Sequence, residues 1–240
     1  MECKLRLLGL LALVCLTTDG FTAESVFDEN FDNADVYSIG EPPPAGFGVL
    51  RHGSWLPLSG KNRMGTVAAR EKNQYLELSL SDAASSGIKA RAIGIFGRTN
   101  QEATALAKSV DLRVALQFSG PPDETFHLMV NGDDGKSKAA IGVSEGGLNV
   151  SFGGKQQPLG GIIEPNVWYE IQLLLPANPA ADSTYTANLF AADGSSLDSK
   201  TGRLSRTPDK EKGSNYTGFD IQHQTPGLSL LIDKITATEE

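Results

Sequence analysis

"VWYEIQLLL" (residues 167–175) and, after a short gap, "TYTANLFAADGSS" (184–196) both alternate apolar and polar residues. Successive side chains of a strand point to opposite faces, so each segment presents one apolar and one polar face. In the first segment the apolar face carries Tyr169, Ile171 and Leu173, and the opposite face carries Trp168, Glu170 and Gln172. Each segment is therefore predicted to be a β-strand that buries one face and leaves the other in water. The Asp-Gly pair at 193–194 is typical of the tight turn between two antiparallel strands.

The same alternation recurs along most of the chain. It occurs in QYLELSL (74–80), IKARAIGIF (88–96), SVDLRVALQF (109–118), FHLMV (126–130), KAAIGV (138–143), LNVSF (148–152), FDIQH (219–223) and LSLLIDKITA (228–237). NGDDG (131–135) and EGG (145–147) separate several of them and supply the positive-φ residues of hairpin turns. The middle of the chain is thus predicted to be an antiparallel meander, and the only helical candidate is NQEATALAKS (100–109).

Length and composition limit both the fold and the function. The chain has 240 residues, of which 40% are hydrophobic, and this is enough for one sandwich domain. Ten or more strands must bury their apolar faces against each other, so we predict an all-β fold of two packed antiparallel sheets. The formal net charge of -8 argues against a nucleic-acid binder and against an anionic membrane surface as partner.

The N-terminal segment has the layout of a secretory signal peptide. Lys4 and Arg6 precede an apolar run that is too short to span a bilayer, and small polar residues follow. We prefer a signal peptide of residues 1–20 over cleavage after Ala23, which leaves one β-sandwich domain at 21–240. Cys3 and Cys15 then leave with the signal, so a soluble exported protein, secreted or periplasmic, is predicted to lack thiols and disulfides. A lipid on Cys15 is the less favoured alternative.

Several longer segments resemble one known family. FHLMVNGDDGKSKAAIGVSEGGLNVSFGG (126–154) and the two segments quoted first resemble the central meander of concanavalin A-like lectin/glucanase domains, the jelly-roll group that includes laminin-G-like modules. ESVFDENFDNADVYSIGEPPPAGFGV (24–49) and LSLLIDKITAT (228–238) are similar to the opening and closing strands of exported bacterial members. The resemblance implies a two-sheet jelly-roll sandwich whose first and last strands are adjacent. The fold alone does not imply an activity.

The catalytic patterns that the resemblance implies are missing from the sequence. Glycoside hydrolases of this family carry a Glu-x-Asp-x-x-Glu strand, and no such spacing occurs. Its polysaccharide lyases use an Arg, a Gln-x-His strand and a Tyr, whereas Gln222 and His223 are adjacent and must point to opposite faces. The sequence therefore favours a non-catalytic carbohydrate-binding or adhesion protein. A lyase or hydrolase of the same fold and a purely structural envelope domain are the alternatives.

Polar residues on the outward faces of the predicted strands form the candidate ligand site. They are Arg91, Arg113, Gln117, His127, Trp168, Glu170, Gln172 and Asn188. Planar polar groups form paired hydrogen bonds with sugar hydroxyls, and a Trp can stack on a sugar ring. A polysaccharide or glycan surface lying across one outward face that bears Arg91, Arg113, His127, Glu170 and Gln172 is therefore the predicted partner. The alternative is an ordinary solvated sheet surface.

Acidic residues near both ends of the domain suggest a metal. Asp28, Glu29 and Asp32 lie in or near the opening strand and Asp233 lies in the closing one. Related jelly-roll modules hold calcium between such strands, and calcium requires several oxygen ligands. The expected metal ligands are Asp28, Asp32 and Asp233, and the expected cofactor is at most a structural calcium ion. The alternative is that these acids are solvated edge residues.

Overall fold

The computed structural model describes residues 23–46, 50–70, 73–81, 87–97, 106, 108–133, 135–145, 147–152, 155–177, 183–205 and 215–240. These residues contain strands, turns and loops but no helix. Within the same ranges there is accordingly no helix long and apolar enough to cross a membrane. The predicted signal peptide and nearly all of the helical candidate at 100–109 lie outside the described residues. Both stay predictions, as do the domain boundaries.

The described residues form sixteen strands. They are β1 (Glu24–Glu29), β2 (Ser54–Trp55), β3 (Asn62–Met64), β4 (Thr66–Arg70), β5 (Asn73–Ser79), β6 (Lys89–Ile95), β7 (Val110–Phe118), β8 (His127–Gly132), β9 (Ser137–Ser144), β10 (Gly147–Phe152), β11 (Lys155–Ile162), β12 (Trp168–Leu175), β13 (Thr184–Ala191), β14 (Ser196–Arg203), β15 (Tyr216–His223) and β16 (Ser229–Glu239). Every strand that the alternation predicted is present. Gly135, Glu145 and Gly194 have positive φ angles, as the predicted turns require.

The strands form two sheets, which we call sheet A and sheet B. Sheet A has the order β14-β13-β12-β7-β16-β5-β4, and β1 also pairs with β16. Sheet B has the order β11-β10-β9-β8-β15-β6-β2, and β3 pairs with β6 in parallel. The other pairings between these strands are antiparallel. The two-sheet antiparallel sandwich predicted from the sequence is confirmed.

The closing strand holds sheet A together. On one side β16 pairs with β7 along almost its whole length, and on the other side it pairs first with β5 and then with β1. The first and last strands are therefore adjacent, as expected. A bulge between Ile232 and Lys234 reverses the alternation of β16, so that Leu230 and Ile232 before it and Ile235 and Ala237 after it are all buried.

The apolar faces of the two sheets meet in one hydrophobic cluster. Its aromatic centre joins the sheets, because Phe219 of β15 contacts Phe27 of β1 edge to face with ring centroids 4.8 Å apart. Trp55 packs against both rings, at 5.2 Å from Phe27 and 6.0 Å from Phe219. Only 1% of Trp55 is exposed, so it belongs to the core. This core leaves the polar outer faces of both sheets available for function.

Candidate functional site

The predicted ligand residues lie on the outer faces of both sheets. Arg113, Gln117, Trp168, Glu170, Gln172 and Asn188 belong to β7, β12 and β13 of sheet A. Arg91 and His127 belong to β6 and β8 of sheet B, on the other side of the sandwich. The expectation of one face bearing Arg91, Arg113, His127, Glu170 and Gln172 was therefore wrong. Alternation identifies which side chains point away from the core, but it does not reveal the sheet to which a strand belongs.

A groove of about 760 Å³ lies on the outer face of sheet A. Its sides are formed by residues at the ends of β4 and β5 and by the turn between β13 and β14. The lining includes Arg70, Asn73, Tyr75, Arg113, Ala115, Gln117, Trp168, Glu170, Phe190, Ala191, Gly194, Leu231 and Asp233. The groove thus contains four of the predicted ligand residues, Arg113, Gln117, Trp168 and Glu170. Gln172 and Asn188 lie next to it on the same face.

Three partly exposed aromatic side chains line this groove. Trp168 of β12 lies directly opposite Gln117 of β7, while Tyr75 and Phe190 lie on β5 and β13. All three are half-buried, so part of each ring is open to solvent. Tyr75 and Phe190 were not among the predicted residues, although each alternates with buried neighbours and so points outward. Exposed aromatic faces between polar groups provide stacking surfaces for rings that are apolar on one face.

A hydrogen-bond network fixes Arg113 beside the groove. Its Nη1 donates to Glu170 Oε1 at 3.1 Å, and its Nε and Nη2 donate to Asp111 Oδ2 at 3.3 and 3.2 Å. Gln172 Nε2 donates to the same Asp111 oxygen at 2.8 Å, and Asn188 Nδ2 donates to Gln172 Oε1 at 2.8 Å. The Arg113 side chain is 43% exposed. It is therefore positioned before any ligand arrives, yet still accessible to one.

Asp233 lies in the groove, at the bulge of β16. The bulge places both Asp233 and Lys234 on the outer face, and Lys234 is the residue opposite Ala115 of β7. Bulges commonly re-aim side chains beside functional sites. Burial raises the pKa of Asp233, the negative charge of Asp32 raises it further, and Lys234 opposes the shift. Asp233 was predicted from the sequence as a metal ligand, and the structure places it in the lining of the groove.

The raised pKa predicts that Asp233 destabilises the folded chain when it is ionised. Asp233→Asn should raise the free energy of unfolding at pH 7 by up to about 0.5 kcal/mol. The folded state binds the proton of Asp233 more tightly than the unfolded state, so this gain should shrink as the pH falls through the raised pKa towards about 3.9. Urea denaturation at several pH values measures the gain. Asp133→Asn in an exposed turn is the control, and an equal gain there would contradict the prediction.

The acidic residues do not converge on a metal site. Glu29 is buried, and its Oε1 accepts hydrogen bonds from the backbone N–H groups of Asn30 and Phe31 at 2.9 Å. Asp32 accepts a hydrogen bond from the Gln74 backbone N–H, and Asp28 pairs with Thr236 on the outer side of β1. Across the described ranges, no three His, Cys, Asp or Glu side chains form a group that could hold a metal. Calcium binding through Asp28, Asp32 and Asp233 stays an untested prediction.

The outer face of sheet B carries a second polar array. Gln222 of β15 lies opposite Arg91 of β6 on one side and opposite His127 of β8 on the other, so the three form a row across adjacent strands. Arg91 forms a two-pronged ion pair with Asp220, in which Nε donates to Oδ1 at 2.8 Å and Nη2 donates to Oδ2. Lys89 Nζ donates to Gln222 Oε1 at 3.3 Å. Burial and the charge of Lys89 lower the pKa of His127, while Asp220 opposes the shift.

No family model and no curated protein sequence matches this chain. Among solved structures, a sialidase superimposes with a TM-score of 0.58 and 10% identity over 90% of this chain, which spans only 19% of the sialidase chain. An alginate lyase variant in complex with an alginate trisaccharide gives a TM-score of 0.55 and 12% identity over 90% of this chain and 99% of the lyase. Another structure of the alginate lyase gives 0.50 and 13% over 90% and 96%. The chain therefore has the concanavalin A-like fold that the sequence resemblance implied.

Proposed function

We propose that the protein is an exported carbohydrate-binding protein and that a polysaccharide lies in the groove on the outer face of sheet A. The observation that carries the proposal is the combination, in one groove, of aromatic rings with a pre-positioned guanidinium. Trp168, Tyr75 and Phe190 offer the rings, and Arg113 offers the guanidinium. A sugar ring has an apolar face for stacking and a rim of hydroxyls for hydrogen bonds, so it complements both features.

The shape of the groove favours an extended chain over a small metabolite. It is open along the sheet surface and lined by both polar and apolar groups, whereas metabolite sites are commonly enclosed apolar pockets. Ala115 and Leu231 supply a low apolar floor between the taller side chains of Trp168 and Tyr75. Several successive sugar units can then contact the face together. Each contact is only partly desolvated, so the affinity should be modest.

Trp168→Ala should weaken binding to a neutral polysaccharide such as laminarin about tenfold, a loss of about 1.4 kcal/mol. The ring is half-buried on the outer face, so its removal takes away a stacking surface while the core stays intact. Affinity electrophoresis measures retention, and thermal melting checks that the variant is folded. The matched control is His127→Ala on sheet B. A Trp168→Ala variant that is retained like the parent chain would rule out this groove.

The row on sheet B supports a second candidate, binding of a uronate-containing polysaccharide on that face. Lys89 and His127 lie beside the largely buried Gln222, and a uronate carboxylate is an acceptor that their donor groups can bind. The arrangement also brings His127 beside Gln222 on the same face. His223 follows Gln222 in the strand, so it points to the opposite face and cannot take this position. The five tyrosines of the chain, Tyr37, Tyr75, Tyr169, Tyr185 and Tyr216, are buried in the core or lie in the sheet A groove. Because the row lacks the Tyr of the lyase pattern, the function proposed for this face is binding of the polysaccharide rather than its cleavage by elimination.

The same pair of variants separates the two candidates when alginate replaces laminarin as the probe. Loss of alginate retention in His127→Ala, with Trp168→Ala unaffected, would place the saccharide on sheet B. The opposite result would place it in the sheet A groove. Retention of both polysaccharides by both variants would contradict both candidates and favour a structural role.

A further inference from the structure

The positive charge of Arg113 is balanced before any ligand reaches the sheet A groove. Its guanidinium donates to Glu170 Oε1 at 3.1 Å and to Asp111 Oδ2 at 3.2 and 3.3 Å. Two carboxylates therefore share one guanidinium, and the group as a whole carries a net negative charge. The remaining N–H groups of Arg113 can still donate to a neutral hydroxyl. A ligand carboxylate placed there would meet two like charges as well as the one cation.

Acidic residues also flank the low floor of the groove at Ala115. Glu170 of β12 is directly opposite Ala115 of β7, and on its other side Ala115 faces the bulge of β16 that carries Asp233. Both acids line the groove. Burial raises the pKa of Asp233 and the charge of Asp32 raises it further, whereas Lys234 opposes the shift. Surroundings that disfavour a negative charge on Asp233 disfavour a ligand carboxylate beside it for the same reasons.

Among the residues that the structure describes, acids outnumber bases in and beside the lining. Glu77 is opposite the lining residue Leu231 of β16, and Asp193 lies in the turn that forms one side of the groove. Arg70 at the end of β4 is exposed, so water solvates its charge and it would bind a carboxylate only weakly. The acids are Glu77, Asp111, Glu170, Asp193 and Asp233, and the bases are Arg70, Arg113 and Lys234. The groove therefore lacks the excess of positive charge that attracts a polyanion.

We propose that Glu170 and Asp233 are specificity residues that restrict the sheet A groove to uncharged polysaccharides. Their carboxylates can accept hydrogen bonds from sugar hydroxyls, but they repel the carboxylate of a uronate. A site gains specificity in this way when a repulsive element against the wrong ligand accompanies the attraction to the right one. The inference rests on saccharide binding in this groove, and it leaves only the face of sheet B for a uronate-containing chain.

The test uses two probes that share a backbone and differ in charge, namely laminarin and laminarin whose C6 hydroxyls have been oxidised to carboxylates. The parent chain is bound to immobilised laminarin, and either probe is added in solution as a competitor. Displacement reports only on the laminarin site, so binding of the oxidised probe to sheet B does not interfere. The parent chain should require at least about tenfold more oxidised than native laminarin for the same displacement, because like charges in the site oppose the oxidised probe.

Glu170→Gln combined with Asp233→Asn should reduce this preference to about threefold or less, because each amide keeps an oxygen acceptor and loses the charge. Each single substitution should give an intermediate preference, and thermal melting checks that the variants are folded. Glu124→Gln combined with Asp133→Asn is the matched control. It changes the net charge equally, at exposed positions that do not line the groove, and should keep the preference of the parent chain. In about 1 M NaCl, where the Debye length is about 3 Å, the preference of the parent chain should also shrink.

The outcomes separate this inference from the binding proposal on which it rests. Equal displacement of the parent chain by both probes, or a preference that the double variant keeps in full, would overturn the specificity role and leave saccharide binding intact. Hydroxyethyl cellulose and carboxymethyl cellulose form a second pair of neutral and charged probes. Retention on a charged probe alone, abolished by Trp168→Ala, would also overturn the specificity role. A parent chain that binds none of the four probes would overturn saccharide binding in the groove, and this inference with it.

Discussion

Phe219→Ala is expected to lower the free energy of unfolding by about 3–5 kcal/mol, because a fully buried ring is removed and the cavity cannot close. The ring is 0% exposed and contacts Phe27 of sheet A, Trp55 of sheet B and Phe96 just after β6, with centroids 4.8, 6.0 and 6.2 Å away. It therefore joins the two sheets rather than filling one of them. Guanidinium denaturation monitored by tryptophan fluorescence measures the loss.

Two further variants make this prediction specific. Gly94 lies beneath the Phe219 ring, and a Cβ added there would be 2.2 Å from Phe219 Cζ, so Gly94→Ala should also destabilise the fold. Leu197→Ala on the edge strand β14 is the control, since Leu197 is 50% exposed and its loss should cost no more than about 0.5 kcal/mol. If Phe219→Ala lost no more than this control, the aromatic cluster would not be what joins the sheets.

The interior strands could be predicted from the sequence because packing and alternation agree there. The alternating residues Val110, Leu112, Val114, Leu116 and Phe118 of β7 are all buried, and so are Tyr169, Ile171 and Leu173 of β12 and Tyr185, Ala187 and Leu189 of β13. The edge strands β11 and β14 were missed. β11 contains Pro158 and Gly160, which weaken any strand pattern but are tolerated at an edge that needs partners on one side only. β14 is polar and mostly exposed, so it lacks an apolar period.

The site could be predicted only in part, for a geometric reason. The polar face of sheet A, including Arg113, Trp168 and Glu170, follows from alternation within single strands. The pairing of strands distant in sequence does not follow from alternation, so the sequence could not assign Arg91 and His127 to the opposite face. Nor could it reveal the bulge after Ile232, which leaves both Asp233 and Lys234 on the outer face, because a bulge is a departure from the very period on which the prediction relies.

Arg91→Ala is expected to lower the free energy of unfolding by about 3 kcal/mol, even though Arg91 lies on an outer face. Its partner Asp220 has a side chain that is 2% exposed and that receives two hydrogen bonds from the guanidinium. Removal of one member of a buried ion pair leaves the other charged, desolvated and without its counterion, and this penalty exceeds the small value of an exposed pair. Urea denaturation at neutral pH measures the loss.

The pair Lys200–Asp198, with an Nζ to Oδ1 distance of 2.7 Å, provides the matched control, because the Asp198 side chain is 24% exposed whereas that of Asp220 is 2% exposed. Lys200→Ala should cost no more than about 1 kcal/mol, because water still solvates Asp198. Arg91→Met combined with Asp220→Leu should recover much of the stability that Arg91→Ala loses, since no isolated charge then remains buried. Equal losses for Arg91→Ala and Lys200→Ala would contradict this account. A large loss of stability in Arg91→Ala would also indicate that the Arg91 guanidinium is held by Asp220, so a uronate on sheet B would bind chiefly to Lys89 and His127.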